Sequence, residues 1–352
     1  DEGLVGSEMC IRDRNITDHY NNTALSTAAR NSRYDVVELL LKNGADINKA
    51  NNDGATPLYM ASGWGRVEVV SILLENEADI NKSNNGGATP LYAASSEGHV
   101  EVVRILAERE ADMNKAVVDG RTPLYIASQN GHVEVVKVLL EKGAYINKAR
   151  NDGITPLYAA SEMGNVEVVR ILLENGADVN QGDNDGWSPL IIASENGDVE
   201  VVKVLLEKGA DINKARNDGA TPLYVASEVG YEEVVKILLE RGADINQAGY
   251  NEQTPLMVAV RDGHLEVVEV LLEYGPNLNA TTEDEGDTAF DMINHRVFPE
   301  IAPKIETLLN EHILNPIITK TVKRQQERDT FAKEMEKRNA SYGTIDNIDY
   351  PV

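Results

Sequence analysis

Thr-Pro-Leu-Tyr, or a close variant of it, recurs every 33 residues along this chain, beginning at Thr56, Thr89, Thr122, Thr155, Ser188, Thr221 and Thr254. Weaker copies stand at Thr23-Ala24-Leu25 and, one residue late, at Thr288-Ala289-Phe290, which makes nine units from about Asp18 to His312. A period this short is a severe constraint, because a unit too small for a core of its own must bury its apolar faces against its neighbours. Length alone would leave two globular domains open for 352 residues.

The unit that starts at Asn151 can be read from local chemistry. Asp152-Gly153 supplies a turn. Thr155 suits a helix N-cap, since its hydroxyl can accept an orphan backbone N–H, and Pro156 suits the first helical position, where a missing N–H costs nothing. Gly164 keeps this helix short, and its Ala159-Ala160-Ser161 run is small enough for neighbouring units to approach closely. Val166 to Leu173 follows as a second helix with a broad apolar face formed by Val168, Val169, Ile171, Leu172 and Leu173. Gly176 ends it in the left-handed conformation that glycine tolerates best, and Asp178-Val179-Asn180 leads to the next turn. Helices of roughly eight to ten residues are not stable alone, so the units must stack.

Turn, short helix, glycine turn, second helix and extended exit at this period resemble the ankyrin repeat, whose hallmark is Thr-Pro-Leu-His-x-Ala-Ala. The resemblance implies an all-α solenoid of stacked helix-turn-helix units joined by β-hairpin-like turns. Departures from the hallmark carry their own expectations. The histidine is Tyr at 59, 92, 125, 158 and 224, Ile at 191 and Met at 257, which reads as structural filling. The second alanine is Ser at 62, 95, 128, 161, 194 and 227, whose hydroxyl can bond back to a helix carbonyl. Glu77 and Glu110 stand where other units place the helix-ending glycine, and Ala107 stands where they place Leu. A left-handed non-glycine residue costs on the order of 1 kcal/mol, and a lost buried leucine about 2 kcal/mol or more. Ser71–Lys115 is therefore expected to be the soft part of the array. The first and ninth units read as caps, the ninth keeping a core face of Phe298, Ile301, Ile305, Leu308 and Leu309.

Outside the repeats, residues 1–17 read as a disordered leader, in which Glu8-Met9-Cys10-Ile11-Arg12-Asp13-Arg14 resembles a translated sequencing-library adapter. Residues 18–312 form the repeat domain. Residues 313–352 read as an extension, a charged helix to about 339 and then a disordered tail.

A formal charge of −25 argues against nucleic acid as a partner, since phosphate binding needs clustered Lys and Arg. No run reaches the roughly 18 to 20 apolar residues of a membrane span. A single cysteine, Cys10, gives neither a disulfide framework nor a cysteine metal site. The chain contains no phosphate-binding glycine loop, His-Glu-x-x-His or Gly-x-Ser-x-Gly. His99, His132 and His264 each follow a repeat glycine and read as structural. The expectation is a monomeric, intracellular, cytoplasmic protein that is not an enzyme and uses no cofactor or metal.

In the family that the repeats resemble, partners contact the turn tips and the concave surface made by the first helices. Carried to matching positions, this singles out the residue before each Thr or Ser and the two residues ending each first helix. These positions vary while the framework around them repeats, so packing does not dictate them. Trp64, Ile154, Met163, Trp187 and Tyr250 are expected exposed anchors, and Arg121 a forked donor. Glu97, Gln129 and Arg261 occupy first-helix ends. Glu162, Glu195 and Glu228 stand in equivalent places in successive units, and a spacing of roughly 10 Å, about one Debye length, would make them an acidic line favouring a Lys/Arg-rich segment. The resemblance thus implies a protein–protein interaction scaffold. A regulatory array of a longer enzyme or channel is the alternative.

Overall fold

The structure, a computed structural model, describes residues 17–293 and 300–314. Among them are seventeen α-helices and no named strand. Eight first-and-second-helix pairs follow in order: α1 (Ala24–Arg30) and α2 (Tyr34–Lys42), α3 (Pro57–Gly63) and α4 (Val67–Glu75), α5 (Pro90–Ser96) and α6 (Val100–Glu108), and α7 (Pro123–Gln129) and α8 (Val133–Glu141). The series continues with α9 (Pro156–Glu162) and α10 (Val166–Glu174), α11 (Pro189–Glu195) and α12 (Val199–Glu207), α13 (Pro222–Val229) and α14 (Glu232–Glu240), and α15 (Pro255–Asp262) and α16 (Leu265–Glu273). The last helix, α17, spans Ala302–Leu314.

These helices group into two compact units: the first runs to Pro189 and includes Glu207–Ala210, and the second comprises Leu190–Leu206 and the chain from Asp211. The proposed helix to 339, the tail after it and the leader up to residue 16 lie outside the described residues, as does Phe298.

Each first helix begins as its sequence predicts. The hydroxyls of Thr56, Thr89, Thr122 and Thr155 accept from the backbone N–H three residues on, each at 3.1 Å, with proline at the first helical position. In the first unit, α1, α3, α5, α7 and α9 pack in series, and so do α2, α4, α6, α8 and α10. The second helices have fully buried valines and leucines at their centres, such as Val69, Val70, Leu73, Val102, Val103 and Leu106. In the second unit α13 packs on α15, α14 on α16 and α16 on α17. Ile305 and Leu309 are buried on α17, and Leu308 and Ile301 are half-buried, so the ninth unit keeps its core face.

Neighbouring turns are joined by single backbone bonds: Asn85 N–H donates to Asp53 O at 2.9 Å, Val118 to Gly86 at 3.1 Å and Asn151 to Asp119 at 3.0 Å. A second ladder uses side chains, with the Asn48, Asn81 and Asn114 carbonyls accepting from the N–H groups of Asp79, Asp112 and Tyr145 at 2.9, 2.9 and 2.7 Å. Gly54 shows why the tip needs glycine: it has φ +79°, and a Cβ there would sit 2.6 Å from the Asn85 nitrogen. The eighth repeat has Asn251-Glu252 at its tip, both left-handed at φ 57° and 54°, and the turn becomes the 3-10 segment Tyr250–Glu252.

The tyrosines fill structure as expected: Tyr92, Tyr125, Tyr158 and Tyr224 are buried, and Tyr59 half-buried. The serines divide. Ser128, Ser161 and Ser194 donate to the carbonyls of Leu124, Leu157 and Leu190 at 2.7, 2.9 and 2.8 Å. The buried hydroxyls of Ser62, Ser95 and Ser227 make no hydrogen bond. Ala107 is half-buried, as are Leu74, Leu140 and Leu173 in the same register, so the cost of its missing leucine is smaller than a fully buried site would imply, about 1 kcal/mol.

Candidate partner-binding surface

Each short first helix begins directly after its turn tip, and in the eighth repeat its end reaches back to the tip, where Arg261 Nη1 donates to Gln253 Oε1 at 2.7 Å. First-helix C-terminal carbonyls are held by the following repeat. His99 Nε2–H donates to Gly63 O at 3.1 Å, His132 to Ser96 O at 2.9 Å and, in the second unit, His264 to Glu228 O at 2.9 Å. Asn165 does the same work with Nδ2, donating to Ser128 O and Gln129 O at 3.0 and 2.9 Å. The histidines are structural bridges that fix where the helix ends point.

In the first unit, Trp64 caps α3 and Met163 caps α9, and they are 48% and 51% exposed, far more than a packed residue of either type. The Arg30 guanidinium carbon lies 4.7 Å from the Trp64 ring centroid, a cation–π stack that leaves much of the indole open. Glu97, at the equivalent place after α5, is exposed, while Gln129 and Glu162 are half-buried. Tyr59, Met60, Trp64, Tyr92 and Glu97 line a cleft of about 510 Å³ on this face.

The tips depart from expectation. Ile154 is not an exposed anchor but buried, as are Ala55 and Ala88 in the same register. The position before the N-cap lies under the turn, so a short side chain stays inside. The longer Arg121 and Trp187 reach out and are half-buried. Arg121 spends part of its fork on its own turn, with Nε donating to Asp119 Oδ2 at 2.8 Å.

Arg150, which sequence reasoning passed over, pairs with Asp152, and its guanidinium carbon lies 5.8 Å from the Tyr125 ring centroid. Burial pushes the Tyr125 hydroxyl up to about 12, against the pull of Arg150. Burial also raises the Glu162 carboxyl, with Arg150 again opposing. A faint sequence signal existed. The residue 25 places after each repeat tyrosine varies freely, and it touches the hydroxyl of Tyr59 as Asn84 (3.2 Å) and of Tyr125 as Arg150 (3.3 Å).

In the second unit Glu195 is half-buried at the end of α11, and Tyr250 is 68% exposed at the irregular eighth tip. Glu228 and Arg261, proposed as separate contacts, are brought together: Arg261 Nη2 donates to Glu228 Oε1 at 2.8 Å. Arg261 also bonds Asp262 Oδ2 at 2.6 Å and Gln253 Oε1 at 2.7 Å. Glu228 is therefore charge-compensated within the fold and does not act as a bare member of an acidic line. Tyr250, Gln253 and Arg261, with Asp284 and Glu285, line a second cleft of about 410 Å³. Among the described residues, no three His, Cys, Asp or Glu side chains gather in a way that would hold a metal ion.

Comparison with known proteins agrees with this architecture. The family described as "Ankyrin repeats (3 copies)" matches residues 4–84, 44–117, 82–150, 112–183, 145–216, 180–249 and 214–282. The chain is similar to the mouse (Mus musculus) ankyrin repeat and MYND domain-containing protein 1, with 40% identity over 58 residues, or 16% of this chain and only 6% of that protein. The crystal structure of the human ASB11 ankyrin repeat domain is similar at a TM-score of 0.57 and 32% identity, over 64% of this chain and 98% of that one. With overlapping family matches running from residue 4 to residue 282, the chain belongs to the ankyrin-repeat family.

Proposed function

We propose that this protein is an interaction scaffold that holds a basic segment of another protein along its first-helix ends and turn tips. Ankyrin repeats are in general protein–protein interaction modules, and the family membership supports that part. The observation that carries the reading is the exposure of Trp64 and Met163 at equivalent helix ends, on a framework that repeats nearly verbatim around them. Trp64 stacks with Arg30, yet it and Met163 are left about half in water, among several large apolar side chains that the described residues leave exposed. They are suited to anchoring a partner. The charge of −25, with Glu97, Glu162 and Glu195 at first-helix ends, favours a partner segment carrying Lys or Arg.

Affinity capture with the intact chain, and with Trp64→Ala plus Met163→Ala, tests the reading. Proteins recovered by the first and lost from the second are the expected result. Identical recovery from both would show that these helix ends do not bind. Changing Glu162 and Glu195 to Lys tests the basic character of the partner in the same assay, with loss expected. A regulatory array within a longer protein is the second reading, favoured by a curated relative of which the matched stretch is only 6%. Sequencing the complete transcript decides it.

A further inference from the structure

We propose that the cleft between α3 and α5 receives a single cationic side chain, an arginine or lysine of the partner segment. This rests on the interaction reading above and specifies where the partner's charge is held.

Three aromatic rings, Tyr59, Trp64 and Tyr92, line the cleft together with the apolar Met60 and one carboxylate, Glu97. The combination comes from register. Trp64 and Glu97 occupy the same position in consecutive repeats, so stacking sets an indole beside an acid. In the first and the fourth to eighth repeats that position holds Asn31, Asn130, Met163, Asn196, Val229 and Asp262, and no second tryptophan occurs there.

The acid is uncompensated. Asp119 is paired with Arg121, Asp152 with Arg150 and Glu228 with Arg261, whereas the Glu97 side chain has neither an ion pair nor a hydrogen bond among the described residues. His99 also lines the cleft, but its Nε2–H is committed to Gly63 O at 3.1 Å.

The aromatic walls are suited to a cation. Trp64 already stacks with the Arg30 guanidinium at 4.7 Å, so the fold itself uses this ring as a cation acceptor while leaving it 48% exposed. The Tyr59 hydroxyl accepts from Asn84 Nδ2 at 3.2 Å, which occupies its polar end within the protein. An arginine or lysine stem would lie on Met60 and the rings, and its charged head would meet the π faces and the Glu97 carboxylate together. A volume of about 510 Å³ admits one long side chain with part of its backbone.

The test uses the full chain and a short peptide alternating arginine with glycine, against the same peptide with citrulline at every arginine. Citrulline keeps the shape and loses the charge. Calorimetry and tryptophan emission read the binding. The arginine peptide is expected to bind about tenfold more tightly than its citrulline counterpart, and Glu97→Gln and Trp64→Leu are each expected to weaken it by about five- to tenfold. Glu141→Gln removes the same charge from an exposed second-helix end, and its affinity is expected to match that of the unaltered chain. Equal weakening by Glu97→Gln and Glu141→Gln would mean that overall charge attracts the peptide, and would overturn the cleft. Equal binding of the two peptides would overturn the cationic occupant and leave the interaction reading standing, because the surface would still bind. No binding of either peptide would also overturn the cleft, and the helix-end capture experiment would then judge the broader reading alone.

Discussion

Replacing Glu77 and Glu110 by glycine is expected to stabilise the second and third repeats. Both glutamates sit in the left-handed region, at φ 65° and 61°, where the equivalent Gly143, Gly176, Gly209 and Gly242 have φ 85° to 91°. The backbone bonds are the same in both cases: Glu77 N–H donates to Leu74 O and Ala78 N–H to Leu73 O at 3.1 and 3.0 Å, while Gly176 and Ala177 bond Leu173 and Leu172 at 3.2 and 3.0 Å. Only the Cβ strain differs. That strain is about 1–2 kcal/mol per site, and the greater freedom of glycine in the unfolded chain offsets about 0.4–1 kcal/mol of it. The net gain is about 0.5–1 kcal/mol for each substitution, or about a two- to fivefold increase in local protection. Native-state hydrogen exchange over residues 71–115, compared with 166–174, is the direct assay, and denaturant midpoints are the supporting one. Before substitution, 71–115 exchanges faster; afterwards the difference narrows. Gly176→Glu is the converse control and should cost a similar amount. Equal protection in the unaltered chain, or a lower midpoint after Glu→Gly, would refute the argument from left-handed strain.

Ser62→Ala, Ser95→Ala and Ser227→Ala should be neutral or stabilising by up to about 1–2 kcal/mol in thermal melts, because each removes a buried hydroxyl without a partner. Ser128→Ala loses a bond to Leu124 O and should cost about 1 kcal/mol more than those three, a ranking the same melts would check. Arg261→Ala should destabilise the second unit by about 1–3 kcal/mol, because it leaves Glu228 and Asp262 uncompensated beside half-buried surroundings. Alkaline titration should destabilise the fold between about pH 10 and 12. Burial lifts the Tyr125 and Tyr224 hydroxyls from an ordinary value of 10 to about 12, so their contribution is complete below pH 10 and is lost as pH rises through the folded value. Tyr125→Phe and Tyr224→Phe should flatten that loss, and unfolding followed by circular dichroism would show whether they do.

Much of the fold was legible because its determinants are local. Thr155 caps, Pro156 starts and Gly176 stops within one repeat, using bonds to residues three to five positions away. Repetition then turned a weak pattern into a strong one, and it marked Trp64 and Met163 as helix-end residues that packing does not require. The exposed i,i+3 pairs on the second helices follow from the same local rule, with Lys137–Glu134 at 2.7 Å and Lys203–Glu200 at 2.8 Å.

What remained hidden depends on residues one repeat away. Ile154 and Trp187 occupy the same register, yet one is buried and the other half-buried, because side-chain length decides which reaches past the turn. Arg261 and Glu228 are 33 positions apart in sequence and meet only through stacking, which cancels a charge that a linear reading leaves available. The same stacking sets Trp64 beside Glu97 in one cleft. Backbone conformation is set over a few bonds, whereas exposure and charge compensation are set by neighbours that the chain brings close only once the repeats have packed.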